Sequence, residues 1–177
     1  LLRRARAVIT VSEFSKGEIA QHYKVSPEKI TVVPNAVEDS FAEDGTKPTG
    51  LPEDVPFFLI VASLNVHKNV APFVEAFKRY RAESGSLTEL WLAGGTARSF
   101  ASVSEELGTS EGVRALGRVT DEELVWLYRN ARVFAFPSLY EGFGIPPLEA
   151  QLLEAPVLAS DIPALREVLR DSALYEQ

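Results

Sequence analysis

The residues with the clearest capacity for chemistry lie in the segment SLYEGFGIPPLEA, residues 138–150. This segment follows an apolar run and has Gly142 and Gly144 shortly before the pair Pro146 and Pro147, and prolines are typical of the first turn of a helix. A helix that begins there directs backbone N–H groups and the positive end of its dipole toward a ligand. We therefore predict that this loop binds phosphate or another anionic oxygen.

Two carboxylates flank the glycine loop. Glu141 precedes the glycines, and Glu149 is expected in the first turn of the following helix, so both lie near one loop rather than along one helix face. They could hold hydroxyl groups at two ends of a ligand. The structural alternative is that Glu149 only complements the helix N-terminus while Glu141 is a solvated loop residue.

A second loop, SLNVHKN at residues 63–69, follows another apolar run. Lys68 could neutralise a phosphate there as a compact point charge, and the alternative is a solvated lysine in a helix-capping loop. A glycine loop at the end of a neighbouring strand favours the phosphate interpretation. The adjacent His67 could donate to a phosphate or to substrate, with a surface histidine as the alternative.

Gly94 and Gly95 end a further apolar run. Glycine at such a position allows either the close approach of a ligand or a tight turn, and the sequence leaves both interpretations open.

The elements that must position these loops follow from the periodicity of apolar residues. Short apolar runs predict strands at residues 7–12, 29–34, 57–63, 89–94, 132–138 and 155–160. Helical spacing of apolar residues falls over 73–80 and 124–131, and Thr120 with Glu123 predicts a capping box at the start of the second helix. This alternation predicts an α/β fold with a doubly wound, Rossmann-like parallel sheet, whose ligands lie beyond the carboxyl ends of the strands.

Composition excludes several classes of function. The 177 residues are 46% hydrophobic, and 18 basic against 25 acidic residues give a net charge of −7, which argues against nucleic acid as a partner. The chain has no cysteine and two histidines without HExxH spacing, so we expect no metal and no cofactor. The motifs GxGxxG, GxxxxGK[ST] and GxSxG do not occur, which argues against dinucleotide, Walker-type and serine-hydrolase sites.

The sequence also bears on location. It has no apolar run of about 18 residues and no signal peptide, so we expect no transmembrane segment and a cytoplasmic protein, which in its full-length form could lie peripherally at the membrane. Because the chain contains no methionine, we expect it to be a piece of a longer protein.

The segment EGFGIPPLE closely resembles the E-x7-E motif of the retaining glycosyltransferases of family 4, which have the two-domain GT-B architecture. The resemblance extends through most of the chain, whose sequence blocks occur in the same order as in the family. The segment 138–150 most resembles that of mannosyl- and rhamnosyl-transferring members. It is carried by the blocks VITVSEFSKGEI, ITVVPNAV, IVASLNVHKN, LWLAGG, ALGRVTDEELVWLYRNARVFAFPSLYEGFGIPPLEA and DIPALREVLRDSALY.

The resemblance assigns roles to residues at matching positions. Glu149 would bind the ribose hydroxyls, Glu141 would face the donor sugar near the reacting centre, and Lys68 would hold the diphosphate. Backbone groups would complete the donor site. The backbone at Arg118 and Val119 would contact the nucleobase. The sugar hydroxyls and diphosphate would accept from the N–H groups of Gly142, Phe143, Gly144 and Ile145.

The chain departs from the family pattern at several positions. Ala62 and Ser63 replace a common Gly-Arg pair, His67 replaces an arginine, and Ala36 replaces a glycine. Ser63 can donate to a phosphate without adding charge, so Lys68 and the loop dipoles would carry more of the neutralisation.

The resemblance also implies an organisation and a reaction. Residues 1–40 would be the end of the acceptor domain, 41–56 a linker, and 57–177 the nucleotide-sugar-binding domain. The full-length enzyme would transfer a hexose, with mannose favoured, from a GDP-, UDP-, ADP- or dTDP-linked donor to a glycan or lipid-linked acceptor, with retention and without a metal. The alternatives are a sugar-nucleotide 2-epimerase of the same architecture and a non-catalytic binding module.

Overall fold

A computed structural model of the chain describes residues 2–38, 41, 44–63, 65–94 and 112–176. The strands are β1 (Val8–Thr10), β2 (Ile30–Val32), β3 (Phe57–Val61), β4 (Glu89–Ala93), β5 (Val113–Gly117), β6 (Val133–Phe136), β7 (Val157–Ser160) and β8 (Leu174–Glu176). The α-helices are α1 (Glu13–Tyr23), α2 (Val70–Ser84), α3 (Asp121–Asn130), α4 (Ile145–Leu152) and α5 (Pro163–Leu169).

The main sheet has six strands in the order β5-β4-β3-β6-β7-β8, and every pairing is parallel. The predicted strands all occur, whereas β5 and β8 were not predicted. Both lie at edges of the sheet and have no fully buried residue. Because a strand that is not buried on both faces lacks a continuous apolar run, the pattern used for the other strands could not detect these two.

Helices cover both faces of this sheet. On one face, Val70, Val74 and Phe77 of α2 pack against the sheet. The opposite face is covered by α3, α4 and α5, whose buried side chains form a larger cluster with Phe134 and Phe136. The predicted doubly wound α/β fold is therefore confirmed.

The order of the strands creates a crevice between β3 and β6. From β3 the chain moves outward through β4 to β5, and then returns to place β6 on the other side of β3. The connections on the two sides of this point run in opposite directions across the sheet, which leaves a gap beyond the carboxyl ends of the two strands. The loops that follow β3 and β6, with residues 62–63, 65–69 and 137–144, therefore lie beside that gap.

The N-terminal segment forms a separate two-stranded parallel sheet from β1 and β2, and α1 packs against both β2 and α5. Residues 44–56 contain no helix or strand, yet the Thr46 N–H donates to Glu122 O at 3.0 Å and Leu51 packs against the core. This segment is thus held against α3. The division at 1–40, 41–56 and 57–177 stays a prediction.

None of the helices in the described ranges is long and apolar enough to cross a membrane.

Candidate functional site

Lys68 and Glu141 meet at the crevice between β3 and β6. Lys68 Nζ lies 2.5 Å from Glu141 Oε1, and the two side chains are only 18% and 13% exposed. The same ammonium lies 5.2 Å from the ring centre of Phe136, the last residue of β6. The Leu139 N–H also donates to His67 O at 2.8 Å, so backbone and side chains both join the two loops. The proposal that Glu141 is merely a solvated loop residue is wrong.

A short 3-10 turn over Val66–Lys68 positions the lysine. The Lys68 N–H donates to Asn65 O at 2.9 Å, and Asn69 ends the turn with a left-handed φ of 54°. Asparagine tolerates this conformation better than most residues, and it allows α2 to begin at the next position.

Two neighbours of the lysine lie at the rim of the crevice. His67 and Ser63 are both exposed, and Ser63 Oγ accepts from Asn65 Nδ2 at 3.1 Å. Among the described residues, Lys68 is therefore the only one of these three whose side chain pairs with the segment 138–144, whereas His67 contacts that segment through its backbone carbonyl.

The glycine loop and its helix start have the predicted form. Gly144 adopts φ 104°, a backbone conformation that side chains rarely allow, so the backbone requires glycine here; a Cβ atom would also press on the end of the Leu165 side chain, 2.7 Å away. The helix α4 begins at Ile145 and has its prolines in the first turn.

Two expectations about α4 need correction. Glu149 lies in the second turn and not in the first, because the helix already begins at Ile145. The helix start is also poorer in donors than predicted, since Pro146 and Pro147 have no N–H and Ile145 supplies the only one among the first three helical residues. Donors for an anion must therefore come mainly from the loop at 142–144.

Glu149 has a specific partner on α3. Its Oε2 accepts a hydrogen bond from Tyr128 Oη at 2.9 Å, and Tyr128 is fully buried. Burial raises the pKa of Glu149, the hydrogen bond from Tyr128 lowers it, and the negative charge of Asp121 raises it, with a net upward shift. Burial and then the charge of Glu149 raise the pKa of Tyr128, so the phenol stays protonated and donates. The structure thus joins Glu149 to α3.

The remaining predicted residues follow β4 and β5. Arg118 is exposed, whereas Val119 packs against the core. Gly94 adopts φ 101°, and a Cβ atom there would lie 2.8 Å from the carbonyl oxygen of Ala62, so backbone crowding is sufficient reason for glycine. A ligand role for these three residues stays a prediction, and Gly95 lies outside the described residues.

Three residues that contact the site were not predicted. Ser12 and Ser15 of the α1 start both donate to Gly142 O, and Tyr128 donates to Glu149. Ser138, in the segment that was predicted, is 1% exposed and, within the described part of the chain, its hydroxyl has no hydrogen-bond partner. The hydroxyls were visible in the sequence, but partners up to 130 residues away were not.

The arrangement offers one cation, two carboxylates and a loop of backbone donors at one edge of the sheet. Such a set can stabilise a phosphate group while holding hydroxyl groups beside it. Among the described residues no group of three or more histidine, aspartate or glutamate side chains could hold a metal ion.

Comparison with known sequences identifies related proteins. The sequence model described as Glycosyl transferases group 1 matches residues 41–174, and that described as Glycosyltransferase Family 4 matches residues 1–41. The chain is 37% identical to the O-antigen chain mannosyltransferase RfbU of Salmonella typhimurium, over 98% of this chain and 47% of the relative. It is 32% identical to the O-antigen chain mannosyltransferase B of Escherichia coli, over 98% of this chain and 48% of the relative. The chain thus spans about half the length of these relatives.

Comparison with solved structures shows the same architecture. The structure of HepE from Anabaena in complex with UDP-glucose aligns with a TM-score of 0.78 at 18% sequence identity, over 99% of this chain and 51% of HepE. At this identity the likeness shows the fold alone.

Proposed function

The chain belongs to the family of glycosyl transferases group 1 and has the fold of one half of a GT-B enzyme, and on that premise we propose that its crevice binds a nucleotide-sugar donor. In the complete protein, this site supports transfer of a hexose to an acceptor hydroxyl with retained anomeric configuration. Mannose is the favoured sugar because two similar proteins are mannosyltransferases.

This proposal rests mainly on one observation. Lys68 and Glu141 form an ion pair at the point where the strand order reverses. A departing nucleoside diphosphate gains negative charge in the transition state. A cation and backbone donors fixed in a largely buried position stabilise that charge without reorganising. Lys68 and the N–H groups of residues 142–145 supply both.

The two carboxylates, Glu141 and Glu149, are assigned to different hydroxyl groups of the donor. Glu149 uses Oε2 for Tyr128, and we assign its Oε1 to the ribose hydroxyls. Glu141 lies beside Lys68, the cation assigned to the diphosphate, and the bond between the sugar and the phosphate must therefore lie near Glu141. We assign it to the sugar hydroxyls. Backbone groups of Arg118 and Val119, after β5, are assigned to the nucleobase.

The reaction follows from these placements. The bond between the sugar C1 and the phosphate oxygen breaks, and its electron pair stays on the diphosphate, where Lys68 stabilises it. The acceptor oxygen bonds to C1 from the same face, and its proton moves to the departing phosphate oxygen. Glu141 positions the sugar and stabilises the positive charge that develops at C1. The step needs no metal in this scheme.

The isomerase alternative is less well supported. A 2-epimerase would need acid and base groups at the sugar C2 and C3, for which only His67 and Glu141 are candidates. His67 is exposed at the rim, and Glu141 is paired with Lys68. The preserved Lys68, Glu141 and Glu149 likewise disfavour a non-catalytic module.

The reaction class can be tested with the complete protein and GDP-mannose, using water as the acceptor. Proton NMR recorded before the sugar mutarotates identifies the anomer that is released first. We expect α-mannose, which retains the configuration of the donor. Release of β-mannose would overturn the retaining mechanism, and the same assay with UDP-, ADP- and dTDP-linked hexoses defines the donor. The acceptor class, a glycan or lipid-linked hydroxyl, and a cytoplasmic location stay predictions.

A further inference from the structure

We propose that Ser12 and Ser15 are positioning residues for the donor site, because they fix the peptide between Gly142 and Phe143 so that its N–H faces the diphosphate. This inference rests on the proposed function, and it assigns a role in donor binding to the N-terminal segment, far away in the sequence.

The two serine hydroxyls converge on one carbonyl. Ser12 Oγ donates to Gly142 O at 2.6 Å, and Ser15 Oγ donates to the same oxygen at 3.0 Å. Ser12 is fully buried. A carbonyl oxygen has two lone pairs, so these two donors saturate it and fix its direction.

The direction of this carbonyl determines that of the next amide. The peptide unit is planar and trans, so the Phe143 N–H points opposite to the Gly142 carbonyl. The carbonyl is directed at the start of α1, and the N–H is therefore directed away from α1. The Phe143 side chain is 8% exposed, which anchors the other side of this peptide.

The start of α1 is itself not available to a ligand. Glu167 of α5 accepts from the N–H groups of Glu13 at 2.8 Å and Phe14 at 2.9 Å, and Ser12 Oγ accepts from the Ser15 N–H at 3.0 Å. The first three N–H groups of the helix are therefore satisfied within the protein. The hydroxyl protons of the two serines remain to be donated to the glycine loop.

A second contact fixes α1 to the same loop. The Tyr140 ring lies edge-on to Phe14 with centroids 5.6 Å apart, and its hydroxyl donates to Glu18 Oε2 at 3.1 Å. The loop is thus held by α1 on both sides of Glu141.

The positioning matters because α4 has few donors of its own. Its two prolines remove N–H groups, so the amides of the loop must supply the hydrogen bonds to the diphosphate. A donor that is already oriented binds an anion without the loss of conformational freedom that a mobile loop would suffer.

The test compares four variants of the complete protein with the parent. Ser15→Ala removes one donor and introduces a residue that favours helix. Ser12→Thr keeps both the hydroxyl and the helix cap. The double variant Ser12→Ala/Ser15→Ala removes both donors. Ser84→Ala is the matched control, because Ser84 Oγ donates to Tyr80 O at 2.6 Å within α2, away from the site.

The measured quantity is the ratio of the affinity for a nucleoside diphosphate to that for the matching nucleoside. The nucleosides are guanosine, uridine, adenosine and thymidine. We expect the double variant to lower this ratio about tenfold or more, because hydrogen bonds to a charged group are among the stronger ones. Ser15→Ala should give a smaller loss in the ratio, while Ser12→Thr and Ser84→Ala should keep the parent value. A merely structural role would lower the melting temperature and leave the ratio unchanged.

The outcomes separate this inference from the proposed function. If the parent binds no diphosphate, the proposed function fails and the positioning role falls with it. If the parent binds and the double variant keeps the parent ratio, only the positioning role is overturned. If the double variant does not fold, an unchanged ratio in Ser15→Ala overturns the role, and a reduced ratio in that variant with full retention in Ser12→Thr supports it.

Discussion

Lys68 Nζ and Glu141 Oε1 form an ion pair at 2.5 Å that joins the loops after two adjacent parallel strands, β3 and β6. In this arrangement the cation assigned to the diphosphate already has an anionic partner. Binding of a donor therefore brings a third charged group to an existing pair. We expect Lys68 to raise the affinity for nucleotide and Glu141 to lower it.

The first prediction concerns Glu141→Gln. The amide keeps the size of the side chain but removes a negative charge next to the bound diphosphate, so we expect nucleoside diphosphate to bind about three- to tenfold more tightly. Sugar transfer should nevertheless slow by about a hundredfold, because the group that stabilises charge at C1 is lost. Calorimetry and initial rates with the preferred donor measure the two effects.

The control for this variant is Glu75→Gln, which removes the carboxylate of an exposed pair with Lys78 at 2.8 Å on α2. Such surface pairs contribute little, so neither affinity nor rate should change. Weaker diphosphate binding by Glu141→Gln would show that the carboxylate orients Lys68 for the nucleotide, contrary to the role assigned here.

The second prediction concerns Tyr128→Phe. The variant leaves the ring packed in the core and removes the hydroxyl that donates to Glu149 at 2.9 Å. We expect the free energy of unfolding to fall by about 1–3 kcal/mol, because a half-buried carboxylate loses its partner. Nucleoside affinity should fall as well, since Glu149 is no longer oriented toward the ribose. Urea denaturation and nucleoside titration check the two expectations, and an unchanged stability would argue that water replaces the hydroxyl without cost.

The third prediction is the pH dependence of stability that Glu149 confers. Its pKa in the folded protein lies above the ordinary value of 4.5, chiefly because of burial. The folded state therefore binds this proton more tightly than the unfolded state, so the group stabilises the fold at low pH and loses that contribution as pH rises through the raised pKa.

Comparison with Glu149→Gln isolates this contribution. The free energy of unfolding of the parent, minus that of Glu149→Gln, should decrease from pH values below 4.5 toward neutral pH. A difference that grows with pH would mean that the folded protein stabilises the ionised carboxylate, which is the opposite sign.

The fourth prediction contrasts two glycines. Gly144→Ala introduces a side chain at φ 104° and against Leu165, so we expect a loss of about 1–3 kcal/mol in stability together with weaker diphosphate binding. Gly17 lies inside α1, where a Cβ atom would meet nothing within 4 Å, and it should tolerate alanine with a gain of about 0.5–1 kcal/mol. Equal behaviour of the two variants in thermal unfolding would remove the structural reason given for Gly144.

The sequence predicted those parts of the molecule that depend on local pattern. The buried strands, the capping box at Thr120 and Glu123, and the helix start after Gly144 all occur where periodicity and residue type placed them. Both residues of the capping box make their reciprocal bonds. These features are set by neighbours within about four residues, which a single sequence displays directly.

The parts that could not be predicted depend on distant partners. The sequence proposed Lys68 and Glu141 separately, and only the strand order brings them into contact. It gave no indication that Ser12 would contact Gly142, or that Tyr128 would hold Glu149. Those contacts depend on tertiary packing, which residue spacing does not encode.

The central claim is that Lys68 binds the diphosphate of a nucleotide-sugar donor, and calorimetric titration of the complete protein with GDP, UDP, ADP and dTDP tests it most directly. We expect at least one of these nucleotides to bind, and Lys68→Ala to weaken that binding by about tenfold or more, which corresponds to about 1.4 kcal/mol. Lys29→Ala, at an exposed lysine on the turn before β2, should bind like the parent. Absence of binding by the parent for all four nucleotides, or equal binding by Lys68→Ala, would contradict the account.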